Sequence, residues 1–146
     1  MDVQYIFLAL FIAFLWAINT IIYKYCMNKS INHKTVLVIG AFTYFVCMCI
    51  FTAYHYDEIS KDIRKTNTEY ILFIGLGAII GTFIATILFM YLLEKNNSAV
   101  LTTLTYTSPI FVLLFAILVL EEKITMIQII GILITIIGVL MISNGF

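Results

Sequence analysis

Trp16, Asn19, Thr20 and Tyr23 fall at i, i+3, i+4 and i+7 of an otherwise apolar run, so on a helix they share one stripe. An indole can both stack on a solute and donate a hydrogen bond, and polar groups inside apolar spans tend to line solute pathways. The plainer alternative is that Asn19 makes one hydrogen bond to a neighbouring helix, worth about 1 kcal/mol. A second cluster, Thr102, Thr103, Thr105, Tyr106, Thr107 and Ser108, stands directly ahead of Pro109, the sole proline. Proline removes one backbone donor and displaces the carbonyl four residues back, here that of Thr105. That leaves polar backbone to be satisfied by hydroxyls, water or other helices, as at a kink facing a wet cavity. A tolerated proline in a membrane helix is the alternative.

Other chemistry finds little support. Cys26, Cys47 and Cys49 are an odd set, and Cys47 and Cys49 point about 200° apart on a helix, so each is expected to behave as a small hydrophobe. His33 is a lone loop histidine with no Cys or carboxylate beside it in sequence, which predicts a solvated surface group and no metal site. The carboxylates between His55 and Glu69 have nothing apolar around them to raise a pKa. No His-Asp, Cys-His or paired-carboxylate set occurs within the apolar runs, so neither a catalytic residue nor a cofactor is expected. Eight Lys and Arg balance eight Asp and Glu, leaving no positive field to hold nucleic acid.

The elements that must position these residues are membrane spans. With 63% hydrophobic and 11% charged residues in 146, the polar surface is too small for a soluble globular protein. Five apolar runs, 3–22, 36–54, 70–93, 99–120 and 124–142, are each about long enough to cross a ~30 Å hydrocarbon core. The expected fold is an all-α bundle of five transmembrane helices forming one domain over 1–146. The first run lacks a basic leader and a small-residue cleavage site, so it is expected to be retained as a helix. Residues 23–35 read as a polar loop, and 55–69 as a solvated, in part helical loop at the membrane surface. Gly77, Gly81 and Ala85 repeat every four residues in the third run, and Gly131, Thr135 and Gly138 form a narrow stripe in the fifth, so both should be seams for close helix packing or a dimer contact. Glu121, Glu122 and Lys123 make a tight turn between the last two spans.

Five spans put the termini on opposite sides. The side of the N-terminus receives Lys61, Arg64, Lys65 and Lys123; the other receives Lys24, Lys29, Lys34 and Lys95. An excess of Lys and Arg on the cytoplasmic side normally sets orientation, so this balance permits insertion both ways. Two oppositely inserted copies can pair into an inverted repeat.

Leu15-Trp16-Ala17-Ile18-Asn19, Tyr106-Thr107-Ser108-Pro109, Leu120-Glu121-Glu122-Lys123-Ile124 and Gln128-Ile129-Ile130-Gly131 leading to Gly138-Val139 together resemble a single EamA-type domain of the drug/metabolite transporter superfamily, similar to its small five-span members. The resemblance covers nearly the whole chain. It implies a transporter of small metabolites or drugs working by alternating access, with the cavity between two inverted five-helix halves, the second supplied by another copy or another half-transporter. Trp16, Asn19, Tyr23, Thr102, Tyr106 and Pro109 are the expected cavity residues: Trp16 and Tyr106 stacking, Asn19 and Thr102 hydrogen bonding, Pro109 as a gating kink. The partners implied are the lipid bilayer, a small-molecule solute and a homodimer mate. The small multidrug resistance relatives place a glutamate inside the first helix; this chain has no ionisable residue inside its five runs. A different class of reading is a structural or accessory membrane protein that moves nothing.

Overall fold

The computed structural model describes residues 3–121 and 123–143, and all regular structure among them is helical. Glu122 of the acidic turn lies outside the described residues. The chain divides into two units, residues 1–95 and 96–146, each with its own internal packing.

In the first unit, α1 (Val3–Asn28) and α2 (His33–Tyr54) are joined by a turn that the sequence spells out. Ser30 takes a left-handed φ of 66°, its N–H donates to the Met27 carbonyl at 3.0 Å and that of Ile31 to the Cys26 carbonyl at 3.4 Å. These two bonds satisfy the last carbonyls of α1 as a Schellman turn does. Asn32 then caps α2, its side chain accepting from the Lys34 N–H at 2.8 Å. The first helix thus runs six residues beyond the expected end at Ile22, and the second starts at His33, three residues early. Charge ended both runs in the sequence; in the structure Lys24 and His33 find partners.

The 55–69 connection, expected to be solvated and in part helical, carries a ten-residue helix, α3 (Tyr56–Lys65). Its acids Asp57 and Glu58 lie in the first turn and Arg64 and Lys65 in the last, each facing the favourable end of the helix dipole. The third span is one continuous helical stretch, Thr68–Lys95, of 28 residues and about 42 Å. It comprises α4 (Thr68–Gly77), a π-helical segment Ala78–Ile84, and α5 (Ala85–Lys95). At the end of the π segment the Ala85 N–H reaches back five residues to the Ile80 carbonyl. Helix α2 packs on α5, and α1 touches both. Met27, Val36, Met90 and Leu93 are buried, with Leu93 fully enclosed, so the packed core of this unit sits at the end holding the 29–32 turn.

In the second unit, Asn97 caps α6 (Ser98–Thr105) by accepting from the Ala99 N–H at 2.9 Å. The fourth run is then interrupted: Tyr106 and Thr107 form a turn, and α7 (Ser108–Leu118) starts afresh with the proline in its first turn. There the missing N–H costs nothing and the fixed φ suits the helix, and the break in the fourth run falls at Tyr106 and Thr107, just ahead of Pro109. The last helix, α8 (Met126–Ser143), opens on a capping box. The Gln128 Oε1 accepts from the Thr125 N–H at 2.8 Å and from its hydroxyl at 2.9 Å, while the Gln128 N–H donates to the Thr125 Oγ1 at 3.4 Å. Helix α6 packs on α8.

Four stretches, Ile6–Asn28, His33–Tyr54, Thr68–Lys95 and Ser98–Leu118, are long and apolar enough to cross a membrane. The shorter Met126–Ile142 is also apolar and, at about 25 Å, falls just short of a full crossing without local thinning or snorkelling at its ends.

Candidate functional site

The stripe on α1 divides in the structure. Trp16 is 61% exposed, and Asn19 is also exposed, with no side-chain hydrogen bond to any described residue. An unpartnered amide in a spanning helix is costly against lipid, so this face requires water, a solute or another polypeptide. Thr20, the third member, donates its hydroxyl to the Trp16 carbonyl at 3.0 Å, the local bond threonine usually makes in apolar helices. Tyr23 is half-buried, and its hydroxyl lies where a Cβ on Gly40 of α2 would stand. Only a glycine at position 40 admits the phenol so close. Tyr23 therefore helps hold α1 against α2.

At the packed end of the same unit stands a polar cluster that the sequence did not reveal. The Lys24 ammonium donates to the Leu93 carbonyl at 2.7 Å and the Glu94 carbonyl at 3.2 Å, meeting the negative end of α5. The Glu94 carboxylate accepts from the His33 backbone N–H at 3.1 Å, and its other oxygen lies 2.6 Å from His33 Nδ1. His33 meets the Tyr91 ring edge-on at 5.7 Å, and Lys95 bonds the Tyr91 hydroxyl at 2.6 Å. His33, far from being a lone solvated group, has a side chain only 12% exposed. Its carboxylate partner comes from 61 residues along the chain, which is why nothing local in the sequence announced it. The cluster ties the ends of α1, α2 and α5 together and has the geometry of a structural clasp.

In the second unit the hydroxyls are largely committed to the backbone. Thr102 donates to the Ser98 carbonyl at 2.6 Å, Thr103 to Ala99 at 2.8 Å, Thr105 to Thr102 at 2.8 Å and Thr107 to Leu104 at 2.8 Å. A threonine so bonded can still accept from a solute but no longer donates to it. Tyr106, 40% exposed, and Pro109 flank a crevice of about 10 Å³ against Ile132 and Thr135 of α8, room for a single water. On the other side of Pro109 an open groove of about 440 Å³ runs between α7 and α8, in the range that small-molecule sites occupy. Its walls are Val112, Leu113 and Ala116 on one side and Gly131 and Ile132 on the other; Lys123, Gln128 and Thr135 supply its polar groups. Since the Gln128 oxygen is held by the capping box and the Thr135 hydroxyl donates to the Gly131 carbonyl at 3.0 Å, the side-chain donors on this groove with no partner among the described residues are the Gln128 amide and the Lys123 ammonium. Of the groove residues, Pro109, Gly131 and Thr135 stood out in sequence; Lys123 and Gln128 read there only as parts of a turn and a motif.

A Cβ added at Gly77, Gly81 or Gly138 would meet nothing of its own unit within 4 Å, nor would one at Gly131. The small-residue faces are therefore open within their units.

A chain built from four apolar helices of spanning length and a shorter fifth is a multi-pass integral membrane protein. It belongs to the EamA-like transporter family, whose model matches residues 3–144. It is 34% identical over 71 residues to a Synechocystis protein called an uncharacterized transporter, an alignment covering 49% of this chain and 22% of that protein. It is 25% identical over 138 residues to an uncharacterized protein of Methanocaldococcus jannaschii, covering 94% of this chain and 95% of that one. The chain thus spans under a quarter of the Synechocystis transporter and nearly all of the archaeal protein. No solved structure matches the chain.

Proposed function

We propose that this protein is a half-transporter, moving a small neutral or zwitterionic metabolite by alternating access as a homodimer of oppositely inserted copies. The observation that carries this reading is the family match over 3–144, a single domain's worth of chain. On this reading the two units form one domain, and the second half of the cavity comes from another copy.

The side chains support the solute class. Lys24, His33 and Glu94 sit near span ends and are held by one another's elements, while the span interiors offer the exposed Trp16 and Asn19, Tyr106, and hydroxyls. A transporter that exchanges protons for cations typically keeps a carboxylate inside a span, where burial raises its pKa toward working pH. Here amides, aromatics and hydroxyls would bind the solute in its place, and no covalent chemistry is involved. The open Gly138 face supports assembly with a second copy.

The test is counterflow in proteoliposomes with a panel of labelled amino acids, sugars and amines. A protein that dimerises yet passes none of them would be an accessory membrane protein. Reporters fused after Phe146 would appear on both sides of the membrane; signal on one side alone would end the oppositely inserted dimer.

A further inference from the structure

The helix α3 carries a surface that neither transport nor the family assigns. At about 100° per residue, Tyr56, Ile59, Ser60 and Ile63 fall within an arc of about 100°, and all six charged residues of the helix lie on the remaining side. The two ends of the apolar arc are open, Tyr56 being 64% and Ile63 57% exposed, while Ile59 and Ser60 between them are half-buried. We propose that α3 is an interfacial helix, lying along the membrane plane with Tyr56, Ile59 and Ile63 sunk into the boundary between headgroups and acyl chains of the bilayer that α2 and the third span cross.

Chain continuity names the occupant. One residue, His55, separates α3 from the end of α2, and two, Thr66 and Asn67, separate it from the start of α4. At about 3.5 Å per residue, neither end of α3 can leave the hydrocarbon edge by more than about 7–10 Å. An amphipathic helix binds by burying its apolar face about 5–10 Å into that same layer. The corner that turns the chain from spanning to lying flat is built for it: His55 leaves helical geometry at φ −104°, ψ 21°, its ring tilted against Phe51 at 4.6 Å and edge-on to Tyr54 at 4.9 Å. Its Nδ1 lies 3.5 Å from the Glu58 carboxylate one turn into α3, which braces the bend. Tyr54, Tyr56 and Tyr70 stand exposed on both sides of this segment, as tyrosines do where a ring belongs at headgroup depth.

The charge count sets the lipid. Asp57, Glu58 and Asp62 balance Lys61, Arg64 and Lys65, so the helix carries no net charge and needs no anionic lipid to hold it. A zwitterionic surface suffices, with apolar burial supplying the attraction.

The experiment uses the full chain in phosphatidylcholine vesicles, in a Trp16→Phe background so that one reporter tryptophan is read. Ile63→Trp is compared with Lys61→Trp using phosphatidylcholine brominated at shallow or deep acyl positions. The expected result is at least about twofold stronger quenching for Ile63→Trp, greater with shallow than with deep bromine, as a burial depth of 5–10 Å requires. Ile59→Trp, on the same arc but half-buried, should also be quenched more than Lys61→Trp and guards against a fault peculiar to one variant. Equal quenching at 61 and 63 would overturn the proposal. So would blue-shifted emission from Ile63→Trp that brominated lipid fails to quench, which would put a protein, such as a second copy, against the arc.

Discussion

Gly40→Ala tests whether Tyr23 belongs to the packing of α1 on α2 or to the solute path. The methyl group would overlap the Tyr23 hydroxyl outright, while the next atoms of that ring, Cζ and Cε1, would lie 3.1 and 3.8 Å away. The hydroxyl is the far end of a rigid ring on a half-buried residue, so relief requires swinging the whole ring or parting the two helices. Forcing a methyl into so close a contact costs about 1–3 kcal/mol. In a Tyr23→Phe background the hydroxyl is gone and the tightest contact becomes 3.1 Å, which a shift of a few tenths of an ångström relieves. There the same Gly40→Ala change should cost less than about 1 kcal/mol, leaving a coupling energy of about 1–2 kcal/mol between the two sites. The assay is reversible unfolding in mixed micelles over a denaturing-detergent titration, with all four proteins of the cycle. Equal costs in both backgrounds would refute the close approach, and Tyr23 would return to the cavity assignment.

Three further outcomes follow from named contacts. Thr125→Ala removes the two bonds that the Thr125 hydroxyl makes with Gln128, leaving the backbone N–H half of the box, and should cost about 1 kcal/mol, seen as faster amide exchange confined to the first turn of α8. Glu94→Gln and His33→Ala each weaken the clasp between α2 and α5 at the imidazole–carboxylate contact while position 33 keeps its backbone N–H, so exchange at 33–36 should quicken in each and little more in the double variant; additive effects would mean that the two side chains act independently. Asn19→Ala and Tyr106→Ala should lower solute flux while leaving dimer formation intact, and Gly138→Leu should weaken dimers on native gels. If Asn19→Ala transports normally, the α1 stripe is not part of the solute path.

Legibility tracked how local each cause was. The spans could be read because a bilayer demands apolar runs of a given length, a one-dimensional quantity, and Asn32 and Asn97 mark helix starts by bonding two residues ahead. The capping box at Thr125 and Gln128 is equally local, its two residues three apart in the chain. In α3 the apolar arc of Tyr56, Ile59 and Ile63 was present in the residues, but alternating charge signs drew attention to solvation and away from periodicity.

What the sequence determined alone is the membrane class, the positions of the apolar spans to within a few residues, and the scarcity of ionisable groups inside them, since these depend only on which residues are adjacent. Tertiary structure decided where Lys24 and His33 belong, because carbonyls and a carboxylate some 60 to 70 residues away make their burial tolerable. It placed the break of the fourth span at Tyr106 and Thr107, with Pro109 in the first turn of the helix that follows. It also separated Tyr23 from Trp16 and Asn19, because Gly40 on another helix offers the phenol a place to pack while the indole and the amide stay exposed among the described residues.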